Sequence, residues 1–191
     1  MKNLLISLLR SKHVCPWWLC FTFDNFLRPY FHDPEKMLKG YIREGDTVLD
    51  VGPGMGYFTI PMARMVGETG KVIAADVQQR MLTFLESKAE KVGLARRIEP
   101  RLVSQTSLGI QAQIDFALAF WMVHEVPDQN LFLEELKSLL KPGGLFLMVE
   151  PAIHVSRKMF QETERRAQAS GFALRERPKI FMSLSALFER L

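Results

Sequence analysis

Residues 47–56 read TVLDVGPGMG, a short apolar run that leads directly into a glycine-rich turn. The run is continuous rather than alternating, which is typical of a strand buried on both faces of a parallel sheet. A helix is predicted to follow at about Tyr57–Val66, and Gly67 stops it. Strand, turn and helix together predict a βα unit whose ligand crevice lies at the carboxyl end of the strand.

The alternation of strands and helices continues along the rest of the chain. Asp33-Pro34 has the form of a helix N-cap followed by a first-turn proline, and Gly93 stands where a later helix should end. Two β-compatible runs around Pro178 predict a final hairpin. The other predicted segments are strands at 71–75, 98–103, 114–120 and 145–149, helices at about 78–92 and 128–140, and a turn at 142–144.

This order of segments predicts one α/β domain over residues 33–191. We expect a three-layer, Rossmann-like, doubly wound sheet that is mostly parallel with an antiparallel last strand. The first strand should lie inside the sheet, between its neighbours. Residues 1–32 are expected to form an N-terminal lid or cap segment.

Composition agrees with a single compact domain. The chain has 191 residues, 48% of them hydrophobic, which suffices for one core but hardly for two. The formal charge of +4 is spread along the chain, which argues against nucleic acid as a partner. Cys15 and Cys20, the two cysteines, indicate a reducing, cytoplasmic setting, and because their spacing does not match a zinc site we predict no metal.

The N-terminal run Leu4–Leu9 is too short for a signal peptide, and no stretch of the sequence could span a bilayer. A short helix packed on the domain is the favoured interpretation of this run. A helix lying on a membrane surface is the alternative. The oligomeric state stays open.

An acid after the second predicted strand is a further sign of a nucleoside cofactor. Asp76 directly follows the predicted strand at 71–75. A carboxylate there can accept hydrogen bonds from both hydroxyls of a ribose lying over the glycine turn. A dinucleotide fingerprint needs G-x-G-x-x-G, but Gly56 comes one position early and Tyr57 stands in the expected place. The spacing disfavours NAD(P), although an NAD(P)-dependent oxidoreductase stays open as an alternative.

Asp50 is followed by a G-x-G-x-G pattern formed by Gly52, Gly54 and Gly56. In this motif the chain resembles the class I S-adenosylmethionine-dependent methyltransferases. Residues 115–128 are similar to the motif around the fourth strand of that family, and 139–144 to its turn before the fifth. Both are closest to the branch that includes quinone-biosynthesis C-methyltransferases. The resemblance implies S-adenosylmethionine as cofactor, S-adenosylhomocysteine as product, and in-line methyl transfer to a small-molecule acceptor.

The resemblance also implies which residues bind the cofactor. Ser104 and Gln105 stand where that branch usually has an aspartate for the adenine amino group. The full implied set is Asp50, Gly52, Pro53, Gly54, Gly56, Asp76, Val77, Ser104, Gln105 and Phe120.

Candidates for a catalytic base stand where the fourth and fifth strands end. His124, Glu150 and His154 are the predicted catalytic residues, because an imidazole can take a proton from a phenol, amine or thiol. A purely structural interpretation is open for two of them. His124 would then satisfy a carbonyl at a helix entry, and Glu150 would cap the helix that follows.

Trp17, Trp18 and Trp121 are the predicted substrate-binding residues. An aromatic lid over the crevice suits a planar or apolar acceptor and excludes water. The alternative is that the two adjacent tryptophans pack a leading helix onto the sheet. For the whole chain, the non-enzyme alternative is a cofactor-binding regulatory subunit without turnover.

Overall fold

The computed structural model describes residues 28–191 as an α/β fold. The helices are α1 Arg28–Phe31, α2 Pro34–Leu38, α3 Thr59–Met65, α4 Gln79–Lys91, α5 Gln129–Leu139 and α6 Arg157–Ala169. The strands are β1 Thr47–Val51, β2 Lys71–Asp76, β3 Ile98–Leu102, β4 Ile114–Phe120, β5 Leu140–Pro151, β6 Phe172–Glu176 and β7 Ser183–Arg190. Short 3-10 turns follow α4 and β4, at Ala95–Arg97 and Val123–Glu125.

The strands form one sheet in the order β3-β2-β1-β4-β5-β7-β6. Strands β1 to β5 pair in parallel, β7 pairs antiparallel with β5, and β6 pairs antiparallel with β7. The predicted doubly wound sheet, the closing hairpin and the antiparallel last strand are thus confirmed. Because β1 lies between β2 and β4, the carboxyl ends of these three strands meet at one edge of the sheet.

Each face of the sheet carries its own hydrophobic core. Val48 of β1 packs in the core that contains Met62 of α3, whereas Leu49 packs in the core that contains Leu133 of α5 and Phe160 of α6. Successive residues of a strand point to opposite faces, so a strand covered on both sides must be apolar throughout. This two-sided burial is the physical reason for the continuous apolar run in β1.

Both predicted helix ends are present. Asp33 caps α2 by accepting hydrogen bonds from the backbone N–H groups of Glu35 and Lys36. Gly93 follows α4 with a left-handed φ of +71°. Within residues 28–191, none of the helices is both long and apolar enough to cross a membrane.

Strand β5 differs from the prediction at its start. It begins at Leu140, which already pairs with β4, and the pairing resumes at Leu145 after an irregular segment. The predicted turn at 142–144 lies inside this strand, where Gly143 adopts a φ of +77°. The apolar spacing of α5 runs directly into the strand, so the sequence does not mark the boundary.

Candidate active site

In the glycine turn after β1, two glycines pack against neighbouring side chains and the third faces open space. Gly52, Gly54 and Gly56 have left-handed φ values of +69°, +54° and +82°, which other residues rarely adopt. A Cβ at Gly56 would overlap the Leu85 side chain, and one at Gly52 would press on Met122. A Cβ at Gly54 would meet no atom of residues 28–191 within 4 Å. Gly54 is therefore the glycine that leaves room for a ligand rather than for another side chain.

Asp50 braces the turn from inside the protein. It is buried near the end of β1, and its Oδ2 accepts a 2.6 Å hydrogen bond from the hydroxyl of Thr59, the first residue of α3. Within the turn, the Pro53 carbonyl accepts the N–H of Gly56 at 3.0 Å. These bonds join strand to helix across the glycines. The contacts of Asp50 and Pro53 to a cofactor stay predictions.

Asp76, at the end of β2, lies beside the glycine turn. Its Oδ2 accepts the Gly54 N–H at 3.3 Å, and its Oδ1 accepts the Gln78 N–H at 2.8 Å. Burial raises the pKa of the Asp76 carboxyl to about 6, although the backbone N–H groups of Gln78, Gly54 and Val77 act in the opposite direction. The structure thus brings the predicted ribose acid next to the open glycine, with half-buried Val77 directly after it.

Because the pKa of Asp76 is raised, we expect the free energy of unfolding of the ligand-free protein to depend on pH. Between the ordinary value of 3.8 and about 6 the folded protein binds this proton more tightly than the unfolded chain, so stability falls as pH rises through that window. Above it, Asp76→Asn should raise the free energy of unfolding by up to about 3 kcal/mol. Thermal unfolding of both proteins at acidic and neutral pH measures the difference, and a gap that does not widen with pH would contradict this origin.

In the loop after β3, Ser104 forms its hydrogen bonds within the loop. The Ser104 hydroxyl accepts the N–H groups of Thr106 and Ser107, at 3.3 and 3.0 Å, and so shapes the loop. Glu135 of α5 then holds the loop from the other side. Gln105 is exposed and makes no side-chain hydrogen bond with any residue from 28 onward, so of the two predicted adenine contacts its amide is the better placed to reach a ligand.

Aromatic rings surround the end of β4. Phe120 lies 4.5 Å from Phe58 and 5.1 Å from Trp121, measured between ring centroids. Trp121 has a φ of +61°, which is strained for a large side chain and costs of the order of 1–3 kcal/mol. Its backbone N–H donates to Val149 at 2.7 Å and its indole N–H donates to the Ser183 hydroxyl at 3.0 Å. The strain is therefore held by contacts on two sides.

His32 and Phe181 belong to the same aromatic group but were missed by the sequence analysis. The buried His32 ring lies 5.3 Å from Phe120 and 5.2 Å from Trp121, and its Nε2 is 2.9 Å from the Phe181 carbonyl. The Tyr57 hydroxyl donates to the His32 carbonyl at 2.7 Å. These contacts join segments far apart in the chain, so no local pattern could have revealed them.

His124 and Glu150, two of the catalytic candidates, form a hydrogen-bonded pair. The His124 Nδ1 lies 2.5 Å from Oε2 of the buried Glu150, and the His124 backbone N–H donates to Oε1 at 3.2 Å. Because an ionised carboxylate only accepts hydrogen bonds, this geometry fits the tautomer in which Nδ1 carries the hydrogen and Nε2 would accept a proton. Glu125 lies 3.9 Å from Nε2.

His154, the third candidate, lies on the solvent side of this pair. Its ring is parallel to that of His124 with centroids 6.3 Å apart. Burial, and then repulsion from His124, lowers the pKa of His154 below its usual value. The structure thus brings the three predicted catalytic residues together.

The structure gives Glu150 and His124 partners other than those that the simpler interpretations named. The helix after β5 is α6, and its cap is Ser156, whose hydroxyl accepts the Met159 N–H at 3.3 Å, rather than Glu150. The His124 ring faces a carboxylate instead of a helix-entry carbonyl. Trp17, Trp18, Cys15 and Cys20 lie outside the described residues. Among residues 28–191 no group of three or more possible metal ligands is found.

Comparison with known proteins identifies the family. A family model described as a methyltransferase domain matches residues 42–181. A SAM-dependent methyltransferase from Aquifex aeolicus has the same fold, with a TM-score of 0.84 and 27% identity over 93% of this chain and 100% of that one. The chain therefore belongs to the methyltransferase domain family.

A curated relative extends the comparison over part of the chain. The ubiquinone/menaquinone biosynthesis C-methyltransferase UbiE of Escherichia coli is 33% identical over 110 residues, which are 57% of this chain. The match spans 44% of UbiE, less than half of its length. The [4+2]-cyclase SpnF, 20% identical with a TM-score of 0.67, shares the fold alone. These relatives do not favour an oxidoreductase.

The residues present fit S-adenosylmethionine. Gly54 adds no Cβ to a space that is already open, and its N–H is bound by the carboxylate of Asp76. A buried carboxylate with a raised pKa is one that a pair of ribose hydroxyls can stabilise. Gly54, Asp76, Val77 and Gln105 would then hold the nucleoside half of the cofactor.

Proposed function

We propose that this methyltransferase acts on a small-molecule acceptor that binds beside the end of β4. The observation that carries the proposal is the pair of contacting aromatic rings, Phe120 and Trp121, at the end of β4, with the His124–Glu150 pair immediately after them. An aromatic wall suits a planar or apolar molecule. The similarity to UbiE, a ubiquinone/menaquinone biosynthesis C-methyltransferase, supports the same class of acceptor.

Most of the catalysis proposed here is positioning. When bound, S-adenosylmethionine would supply a methyl group on a sulfonium for in-line transfer to the acceptor. Asp76 and Gly54 would hold the cofactor, and the aromatic wall formed by Phe120 and Trp121 would hold the acceptor and exclude water. Holding two reactants at near-attack separation contributes up to about 7–11 kcal/mol in favourable cases. That Trp17 and Trp18 bind the acceptor stays a prediction.

Within the proposal, His124 is the base and Glu150 is its positioning residue. The Nε2 atom of His124 takes the proton of an acidic acceptor, while Glu150 holds the ring through Nδ1 and stabilises the imidazolium that forms. Burial, and then repulsion from His124, lowers the pKa of His154, which favours the neutral form of His154 beside a charged His124. An acceptor that must lose a proton, such as a phenol, enol, thiol or amine, follows from this arrangement.

Binding and turnover test the proposal together. We expect the purified protein to bind S-adenosylhomocysteine in a calorimetric titration and to transfer labelled methyl to at least one member of a panel of phenols, amines and thiols. Binding without transfer to any of them would favour the regulatory-subunit alternative. Stabilisation by NADH but not by S-adenosylhomocysteine would favour the oxidoreductase. The absence of a nucleic-acid partner and the cytoplasmic location stay predictions.

A further inference from the structure

A cavity of about 370 Å³ lies between α6, the β6–β7 connection and the start of β7. Phe160, Ile180 and Leu184 give it apolar walls. None of its lining residues belongs to the glycine turn or to the surroundings of Asp76. Its volume lies within the range of pockets that hold small molecules or parts of them.

The charges around this cavity are unbalanced. Arg157, Arg177 and Lys179 line it, together with a single acid, Glu164. Both oxygens of the buried Glu164 are bound by Arg177, at 2.9 and 3.2 Å, so these two charges compensate each other. Arg157 and Lys179 form no ion pair with any residue of the described range 28–191. Two positive charges therefore remain beside an apolar wall.

The cavity is adjacent to the proposed acceptor position. Ser183 lines it, and the Ser183 hydroxyl accepts the indole N–H of Trp121 at 3.0 Å. Met122, the residue after Trp121, contacts the position of Gly52 in the glycine turn. The loop that forms the cavity is fixed by the Ser185 hydroxyl, which donates to the Pro178 carbonyl. A molecule held beside Trp121 could thus extend into the cavity.

We infer that this cavity binds the acidic end of the methyl acceptor, a carboxylate or a phosphate carried on an apolar body. The inference rests on the proposed function for the identity of the ligand as acceptor. The planar guanidinium of Arg157 and the ammonium of Lys179 match an oxyanion, which forms stronger hydrogen bonds with charged donors than a neutral group does. The apolar walls formed by Phe160 and Leu184 match the body that carries the charge.

Amide NMR titrations with defined probes test this site. Inorganic phosphate, benzoate and the neutral amide benzamide are added separately at constant ionic strength. We expect saturable shifts from one or both anions within 157–164 and 178–185, and much weaker ones from benzamide. The anion that binds more tightly identifies the acidic group. Equal shifts from benzoate and benzamide, no shifts, or shifts spread over all basic residues would overturn the inference.

Matched double variants separate a built site from general surface charge. Arg157→Ala with Lys179→Ala should weaken anion binding about tenfold. Lys158→Ala with Arg165→Ala removes the same charge from outside the cavity lining, and it should leave anion binding within twofold. Equal losses in the two variants would refute the site.

The affinity for S-adenosylhomocysteine, measured on the same proteins, keeps the two proposals distinguishable. We expect it to be unchanged in both double variants. If wild-type protein fails to bind S-adenosylhomocysteine, the proposed function fails, while the anion titration can still be interpreted. If S-adenosylhomocysteine binds and the anions do not, only the inference that this cavity binds an anion fails.

Discussion

Gly54→Val is expected to lower the affinity for S-adenosylhomocysteine by ~100-fold, because overfilling a packed space costs about 1–3 kcal/mol. The φ of +54° already disfavours a side chain at this position, and valine is β-branched. Within the described part of the chain no atom lies within 4 Å of the added Cβ, so the new methyl groups would occupy space that is left for the ligand. Calorimetric titration of wild type and variant measures the loss.

Gly93→Val is the matched control for this substitution. Gly93 also has a left-handed φ, +71°, and a Cβ there would also meet none of the described residues within 4 Å. It stands at the far end of α4, away from the carboxyl edge of the sheet. Both variants should therefore lose similar stability from backbone strain, about 1–2 kcal/mol, and only Gly54→Val should lose the ligand. Equal ligand affinities in the two variants would remove Gly54 from the cofactor site.

The fold could be predicted because its signals are local. Successive residues of β1 contribute to two different cores, so Val48 and Leu49 must both be apolar, and the run is visible in the sequence. Asp76 ends β2 and the glycine turn follows β1, so the parallel pairing of these strands brings the two together without further information. The early start of β5 was missed because Leu140 serves both the helix pattern and the strand.

The acceptor side of the site depends on contacts that the sequence does not encode locally. His124 and Glu150 were predicted as separate candidates, and only the pairing of β4 with β5 places one against the other. Trp121 was predicted, but its partners His32 and Ser183 come from opposite ends of the chain. Loop contacts of this kind follow from tertiary packing, which periodicity does not report.

His124→Gln is expected to lower kcat by about 10²–10⁴-fold, the usual contribution of a positioned base. Glutamine can still donate a hydrogen bond to Glu150, so the fold and the affinity for S-adenosylhomocysteine should be kept, while no group is left to take the proton. The wild-type kcat should fall at acidic pH as the imidazole becomes protonated. The variant should lack this acidic limb, a difference that a purely structural role for His124 would not produce.

Glu150→Gln should lower kcat less than His124→Gln does, and His154→Gln should lower it least. Glu150 acts through the His124 ring, so its loss leaves a base that is misoriented and no longer stabilised when charged. His154 is exposed and makes no hydrogen bond to the His124 ring within residues 28–191, so its loss should have the smallest effect. Since a misplaced pair lowers kcat and a misplaced acceptor raises KM, the two parameters are measured separately for each variant. If His124→Gln keeps full activity, the base lies elsewhere, and the short His124–Glu150 contact serves the fold alone.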